Sequence, residues 1–324
     1  MNTRRLLPFP LLVVAASAWA ADAGTGDAPI GLAEPDARIV VPLDVDALAG
    51  RAGGFDAPET AELDGRELME AVHAAHQQYP FVYEELSMVL IDRRDARRTR
   101  QLRRYSRVDD DGRVSLLLLF DTPAEVEGVA LLAHIQDGGV QDVGIYLPAL
   151  DGRFVESDAD VVDSAFLGTD FTVEDFTGER LDDYRYVRRR GRSIEGVPHH
   201  VVDVFAAGED VNSARALRRH YVRADVLFVT RTEHYDDLGR IQRRHSTHDL
   251  ARVDGNMWCG NMLLMEDLQS AHSTLVKIDR RVFSRDYVPA EMFSEQWLRR
   301  TYPPGGGDAP EADDAAASET VAGR

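Results

Sequence analysis

Phe166-Leu-Gly-Thr-Asp-Phe-Thr-Val-Glu-Asp-Phe176 interleaves apolar and acidic residues in an order that suits neither a regular strand nor a regular helix. Thr172 and Asp175 have the capping-box spacing, which predicts a short helical turn starting at Thr172. Gly168 permits a sharp bend just ahead of it. Four large apolar residues, Phe166, Leu167, Phe171 and Phe176, thus sit on an irregular connection. Such a segment either plugs a core or lines a greasy site. Which of the two holds depends on the elements around it.

Those elements read as short strands. After Tyr79-Pro80 they are expected at 81–92, 100–109, 113–120, 127–136, 140–147, 152–157, 184–190, 196–206, 215–223, 226–235, 239–248, 259–269 and 272–281. Asp109-Asp-Asp-Gly112, Asp137-Gly-Gly139, Asp151-Gly152 and Asp236-Asp-Leu-Gly239 supply turns between them. Leu68, Met69, Val72 and Ala75 give one apolar face to a helix over 64–77. A closing helix is expected over 289–300, with Met292, Phe293, Trp297 and Leu298 apolar. Many hairpin-spaced strands with few helices predict a mainly β, α+β domain built on a large, curved antiparallel sheet, which if only part-closed leaves a cleft. The helices would then fill or lid its concave face, a geometry suited to an apolar ligand. Leu116 to Phe120 is apolar at every position, and Met88–Ile91, Val129–Leu132 and Val226–Val229 behave similarly. A sheet with one wet face would alternate, so either helices pack on both sides or one side holds a ligand.

The ends of the chain speak to location. Arg4 and Arg5 precede the apolar stretch Leu6–Ala18, and Ala18-Trp19-Ala20 fits a small-x-small cleavage site. Residues 1–20 are therefore read as a signal peptide cut after Ala20, exporting the product to the periplasm. The stretch is too short for a comfortable membrane span, and no cysteine follows the cleavage site to carry a lipid. Residues 21–60 read as a flexible leader with one short strand near 37–43, 61–302 as the folded domain, and 303–324 as a disordered acidic tail. Losing Arg4 and Arg5 takes the net charge from −19 further down to −21. That excess argues against nucleic acid and against adsorption to an anionic membrane. Cys259 is the only cysteine, so no intramolecular disulfide forms.

Chemistry-bearing motifs are few. No Gly-x-Ser-x-Gly elbow, phosphate-binding glycine loop or Cys-x-x-Cys appears. His73/His76, His199-His200 and His245/His248 are close pairs without a Glu at metallopeptidase spacing, and are read as surface or hydrogen-bonded histidines. Arg93-Arg94, Arg97-Arg98, Arg103-Arg104 and Arg188–Arg190 are read as partners of neighbouring carboxylates. No catalytic site, metal or cofactor is expected.

The run 166–176 resembles the signature of the outer-membrane lipoprotein-sorting-like family, exported proteins similar to the lipoprotein carrier LolA. Phe120-Asp-Thr-Pro-Ala-Glu-Val-Glu-Gly128, Tyr146-Leu-Pro-Ala149 and Tyr235-Asp-Asp-Leu-Gly239 resemble three further family elements, in the same order. Val173 stands where an aromatic is common and Phe176 where leucine is common. The resemblance implies a half-open β-barrel with helices over a hydrophobic cavity. It implies a non-enzymatic carrier or accessory protein for lipid or lipoprotein acyl chains. It also implies association with an inner-membrane lipid exporter of the resistance-nodulation-division type. The alternative is a structural subunit of an envelope complex whose cavity its own side chains fill. The expected lining is Met88, Leu90, Leu118, Phe120 and Tyr146 from the sheet and Phe166, Leu167 and Phe171 from the loop.

Overall fold

The computed structural model describes residues 39–40, 60, 62–76, 79–136, 139–156, 167–212, 214–254 and 257–304. The expected signal peptide, nearly all of the leader and tail, and Phe166 lie outside these residues. Each expected strand has a counterpart. Strands β2 (Phe81–Ile91), β3 (Arg97–Val108), β4 (Val114–Thr122), β5 (Ala130–Gln136), β6 (Gly139–Leu147) and β7 (Arg153–Glu156) form one meander. Strands β8 (Tyr184–Ile194), β9 (Val197–Ala206), β10 (Arg218–Arg223), β11 (Phe228–Tyr235), β12 (Ile241–Asp254), β13 (Met257–Asp267) and β14 (His272–Val282) form a second. A short strand, β1 (Ile39–Val40), runs parallel to the end of β14.

The two meanders join where β14 pairs antiparallel with β2, so the order is β7-β6-β5-β4-β3-β2-β14-β13-β12-β11-β10-β9-β8. β7 and β8, consecutive in sequence, are the two ends of this open sheet. The chain between them must therefore travel from one edge to the other. Its described part, from Leu167, does so across the concave face. There Phe171, Val173 and Phe176 pack with Met88, Leu118 and Val276 of the middle strands.

β4 explains its own composition. Leu116, Leu118 and Phe120 face the crossing segment, while Leu117 and Leu119 face Val288, Met292, Phe293 and Leu298 on the other side. Both faces are covered, and all five residues are fully buried. Each such side chain contributes ~1.5–3 kcal/mol. The closing helix thus lies opposite the cavity. It is also shorter than expected: 3-10 turns precede α3 (Glu295–Thr301), because Ser294 caps a new start by accepting from the Trp297 amide.

Two helices occupy the concave side. α1 (Gly65–His76) begins with a reciprocal cap, in which the Glu67 amide donates to Asp64 Oδ1 and the Asp64 amide to Glu67 Oε2, both at 2.9 Å. Its apolar face, Leu68, Met69, Ala71 and Val72, packs on Tyr186, Val202, Val204 and Val222. α2 (Val173–Thr177) has the expected capping box between Thr172 and Asp175. The bend before it falls at Leu167 and Gly168, with φ of 51° and 72°. No helix among the described residues is long and apolar enough to cross a membrane.

Candidate functional site

Strand register builds the site. His220 on β10 lies opposite Thr232 on β11, which lies opposite His245 on β12. In the adjoining row Arg218 lies opposite His234, which lies opposite Arg243. α1 adds His73 and His76 from above. The Trp258 amide donates to His76 Nδ1 at 3.0 Å, so the ring proton sits on Nε2 and points between the carbonyls of Val226 and Leu227, 3.2 Å from each. His76 is thereby held neutral, in line with the downward pull of burial on it.

The segment around α2 brings carboxylates to meet this face. Glu174 accepts two bonds from Arg218, at 2.6 and 3.1 Å, and one from the Tyr184 hydroxyl at 2.7 Å. Glu179 lies 2.9 Å from Arg218 Nε and 3.0 Å from His220 Nε2, and accepts from the Tyr186 hydroxyl. Asp175 caps α2 and pairs with Arg243 at 3.4 Å. Across the floor, Glu84 is held between Arg104 at 2.8 Å and Arg281 at 2.6 Å. Burial pushes Glu84 and Glu179 upward, but their cationic neighbours outweigh it and hold each at about 2. Burial pulls His73, His234 and His245 down, so they are neutral at pH 7.

Between this face, α1 and α2 lies a cavity of about 630 Å³. Its apolar lining includes Val72, Leu86, Phe176, Val276 and Ile278, and its polar lining includes the five histidines and the ion pairs just described. Cys259 also lines it, with burial pushing the thiol up, away from the reactive thiolate. No group of three or more His, Cys, Asp or Glu among the described residues is arranged to hold a metal ion.

A family described as "Uncharacterized protein" matches residues 112–300. The chain belongs to this family. No curated protein matches it. Its fold is LolA-like, as solved structures show. A domain described as an outer membrane lipoprotein-sorting protein, from Vibrio parahaemolyticus, is similar at TM-score 0.66 and 22% identity, covering 73% of this chain and 98% of that one. A DUF1329 family protein from Desulfovibrio piger is similar at TM-score 0.63 and 20% identity, covering 71% and 98%. A LolA superfamily protein from Nitrosomonas europaea is similar at TM-score 0.55 and 15% identity, covering 72% and 99%.

Within this LolA-like fold the expected lining residues fall in two places. Met88, Leu90, Leu118, Phe120 and Phe171 are buried in a single cluster, with Leu167 packed against it. They adjoin the cavity and do not line it. Tyr146 is on the opposite face, where its hydroxyl donates to the Tyr302 carbonyl at 2.5 Å. Of Leu167, Phe171 and Phe176, the described large apolar residues of the run 166–176, it is Phe176 that reaches the cavity.

The histidines are where sequence reasoning fell short. The reading as surface or hydrogen-bonded groups holds for His76, which is hydrogen-bonded, but it missed that His73, His76 and His245 line a cavity, joined there by His220 and His234. The available signal was parity: each sits on the inward side of its strand or helix. Which strands would be neighbours could not be read without the topology.

The Asp of the signature run also acquires a role. Asp170 is buried, takes a 2.6 Å bond from the Thr274 hydroxyl and lies 2.7 Å from His272 Nδ1. It pins the crossing segment to β14. The arginine clusters split as well. Arg103 pairs with Asp121, Arg104 with Glu84 and Arg189 with Asp203, whereas Arg93, Arg94, Arg97 and Arg98 stand exposed on the β2–β3 hairpin.

Proposed function

We propose that this protein is a periplasmic carrier or accessory protein that holds the acyl part of a lipid or lipoprotein and serves envelope lipid transport. The observation that carries the reading is the cavity of about 630 Å³ under α1 and α2, a size ordinary for a small-molecule site. The description of the Vibrio parahaemolyticus relative as lipoprotein-sorting supports it. So does the N-terminal run Arg4 to Ala20, read as an export signal cut after Ala20.

Capture is driven by apolar burial, at ~0.8 kcal/mol per CH₂. Release follows from movement of the crossing segment. Its outer anchors are polar: Arg100 donates to the Leu167 carbonyl at 2.8 Å and Arg243 to the Asp170 carbonyl at 3.0 Å. Such bonds exchange with water at a net cost of ~1.5–3 kcal/mol each. An inner-membrane exporter of the resistance-nodulation-division type is the proposed partner. The role is binding, without a catalytic step. In the proposal Met88, Leu90, Leu118, Phe120, Leu167 and Phe171 form the wall behind the ligand.

Mass spectrometry of organic extracts of the purified protein tests the reading, with co-purifying lipid as the expected result. Repeated absence of lipid, together with no uptake of a fluorescent fatty acid, would overturn it. That outcome would favour a structural subunit filled by its own side chains, a reading to which the tightly packed Phe171 end of the face lends support.

A further inference from the structure

The cavity's charges are spoken for. Its lining arginines are Arg104, Arg218 and Arg281, and each is committed to a carboxylate: Arg104 and Arg281 to Glu84, Arg218 to Glu174 and Glu179. Asp175, the remaining lining acid, pairs with Arg243. A phosphodiester would bring a permanent negative charge to a place with no uncommitted arginine to receive it.

Among the described residues, three nitrogens of lining side chains are buried without a hydrogen-bond partner: Arg104 Nε and Arg218 Nε, on guanidinium groups already paired with carboxylates, and His245 Nε2, on an uncharged ring. A buried imidazole nitrogen in that state calls for an explanation. Neutral, it donates to or accepts from one small polar group, according to tautomer. Leu86, Val276 and Ile278 offer the same cavity an apolar wall, continued by Phe176.

Size narrows the occupant further. Taking a carbon group as about the size of a water, ~30 Å³, a cavity of about 630 Å³ holds roughly 20 such groups. That is one long acyl chain with a compact head. Three sixteen-carbon chains would need roughly 50 groups on the same measure.

We infer that the cavity takes a single-chain amphiphile whose hydroxyl or carboxyl head hydrogen-bonds to His245 Nε2, with its chain along Leu86, Val276, Ile278 and Phe176. This rests on the carrier reading and narrows its ligand from lipids at large to one chemical class. The paired arginines disfavour a phospholipid headgroup, and the volume disfavours holding all three chains of a triacylated lipoprotein inside at once.

The test is displacement of the fluorescent probe N-phenyl-1-naphthylamine from the full chain. Tetradecanol and myristic acid are compared with dimyristoylphosphatidylglycerol and a triacylated lipopeptide. The single-chain ligands should displace the probe at one equivalent, and the hydroxyl and carboxyl arms say which head is preferred. The other two should not. His245→Phe should weaken the preferred single-chain ligand by roughly 3- to 10-fold more than it weakens the probe, whose binding is measured directly to each variant. His245→Gln, which restores a side-chain donor and acceptor, should recover most of the loss and guards against misfolding as the cause.

If the phospholipid or the lipopeptide displaces the probe as well as the single-chain ligands do, the inference falls while the carrier reading stands. If His245→Phe changes nothing, the head-group assignment falls. If neither the probe nor any ligand binds, the carrier reading itself fails.

Discussion

The concave face has two ends built on opposite plans. Over β2, β4, β5 and β14 it is closed by hydrocarbon, with Phe171, Val173 and Phe176 seated on Leu118, Leu131 and Val276. Over β10, β11 and β12 it is roofed by α1 and α2, and the space beneath holds histidines and matched ion pairs around a void. One crossing segment serves both ends. It is a plug where its side chains are aromatic and a roof where they are acidic. The irregular order of the run 166–176 follows from that double duty, since no single periodicity could supply both.

The comparison breaks if the two ends respond alike to mutation. The largest effect is expected from Phe171→Ala, at the filled end, where loss of a fully buried ring should cost ~3–5 kcal/mol in urea unfolding. A cost below ~1 kcal/mol would mean the plug is loose.

Next comes acid. The cavity histidines His73, His234 and His245 are pulled below their ordinary value, so the unfolded chain takes up their protons first. Stability should be flat above pH ~6.5 and fall below it, by up to ~1.4 kcal/mol per pH unit for each histidine. Glu84 and Glu179, held at about 2, contribute stability that is intact above their usual range and lost only as pH falls from ~4.5 towards 2. The cavity's histidines and carboxylates therefore titrate apart, with only the histidines acting between pH ~6.5 and ~4.5. Unfolding followed against pH should show a His245→Gln variant less sensitive than the parent in that window. Equal slopes would put the histidine outside the titrating set.

Thr172→Ala removes the cap of α2 and should cost ~1 kcal/mol, with faster release of bound probe as the second readout. The smallest effect is expected from Val229→Ala, at the hollow end. Val229 lines the cavity and is only partly buried, so truncation there should cost less than ~1 kcal/mol. A cost equal to that of Phe171→Ala would show the hollow end to be as well packed as the other.

Much of the fold was legible because turn chemistry and strand length are local. Asp109-Asp-Asp-Gly112 marks the β3–β4 turn, and the amide of Gly112, at φ 81°, donates to the Asp109 carbonyl. The capping box at Thr172 was legible for the same reason. The doubled coverage of β4 was legible as an all-apolar run, but which layer covered which face was not. α3 and α2 come from distant parts of the chain and reach opposite sides only through the strand order. The candidate site was the least legible part. His220, Thr232 and His245 become a row only once β10, β11 and β12 are in register, a non-local fact. Apolar character drew attention to Leu118 and Phe120, yet full burial in a close-packed cluster is what such residues do first.

The β2–β14 pairing carries one more consequence. All other neighbours in the sheet are hairpin partners in sequence, apart from the short β1, so each meander can zip up from nearby turns. The seam unites residues some 190 positions apart, such as Met88 with Val276. Closing so long a loop is slow, so the seam should be the late event in folding and set its rate. The same arrangement means that a chain cut between β7 and β8 leaves two pieces, each a whole meander, with complementary seam strands. Co-expressed, they should reassemble along β2 and β14 as two parts of one sheet.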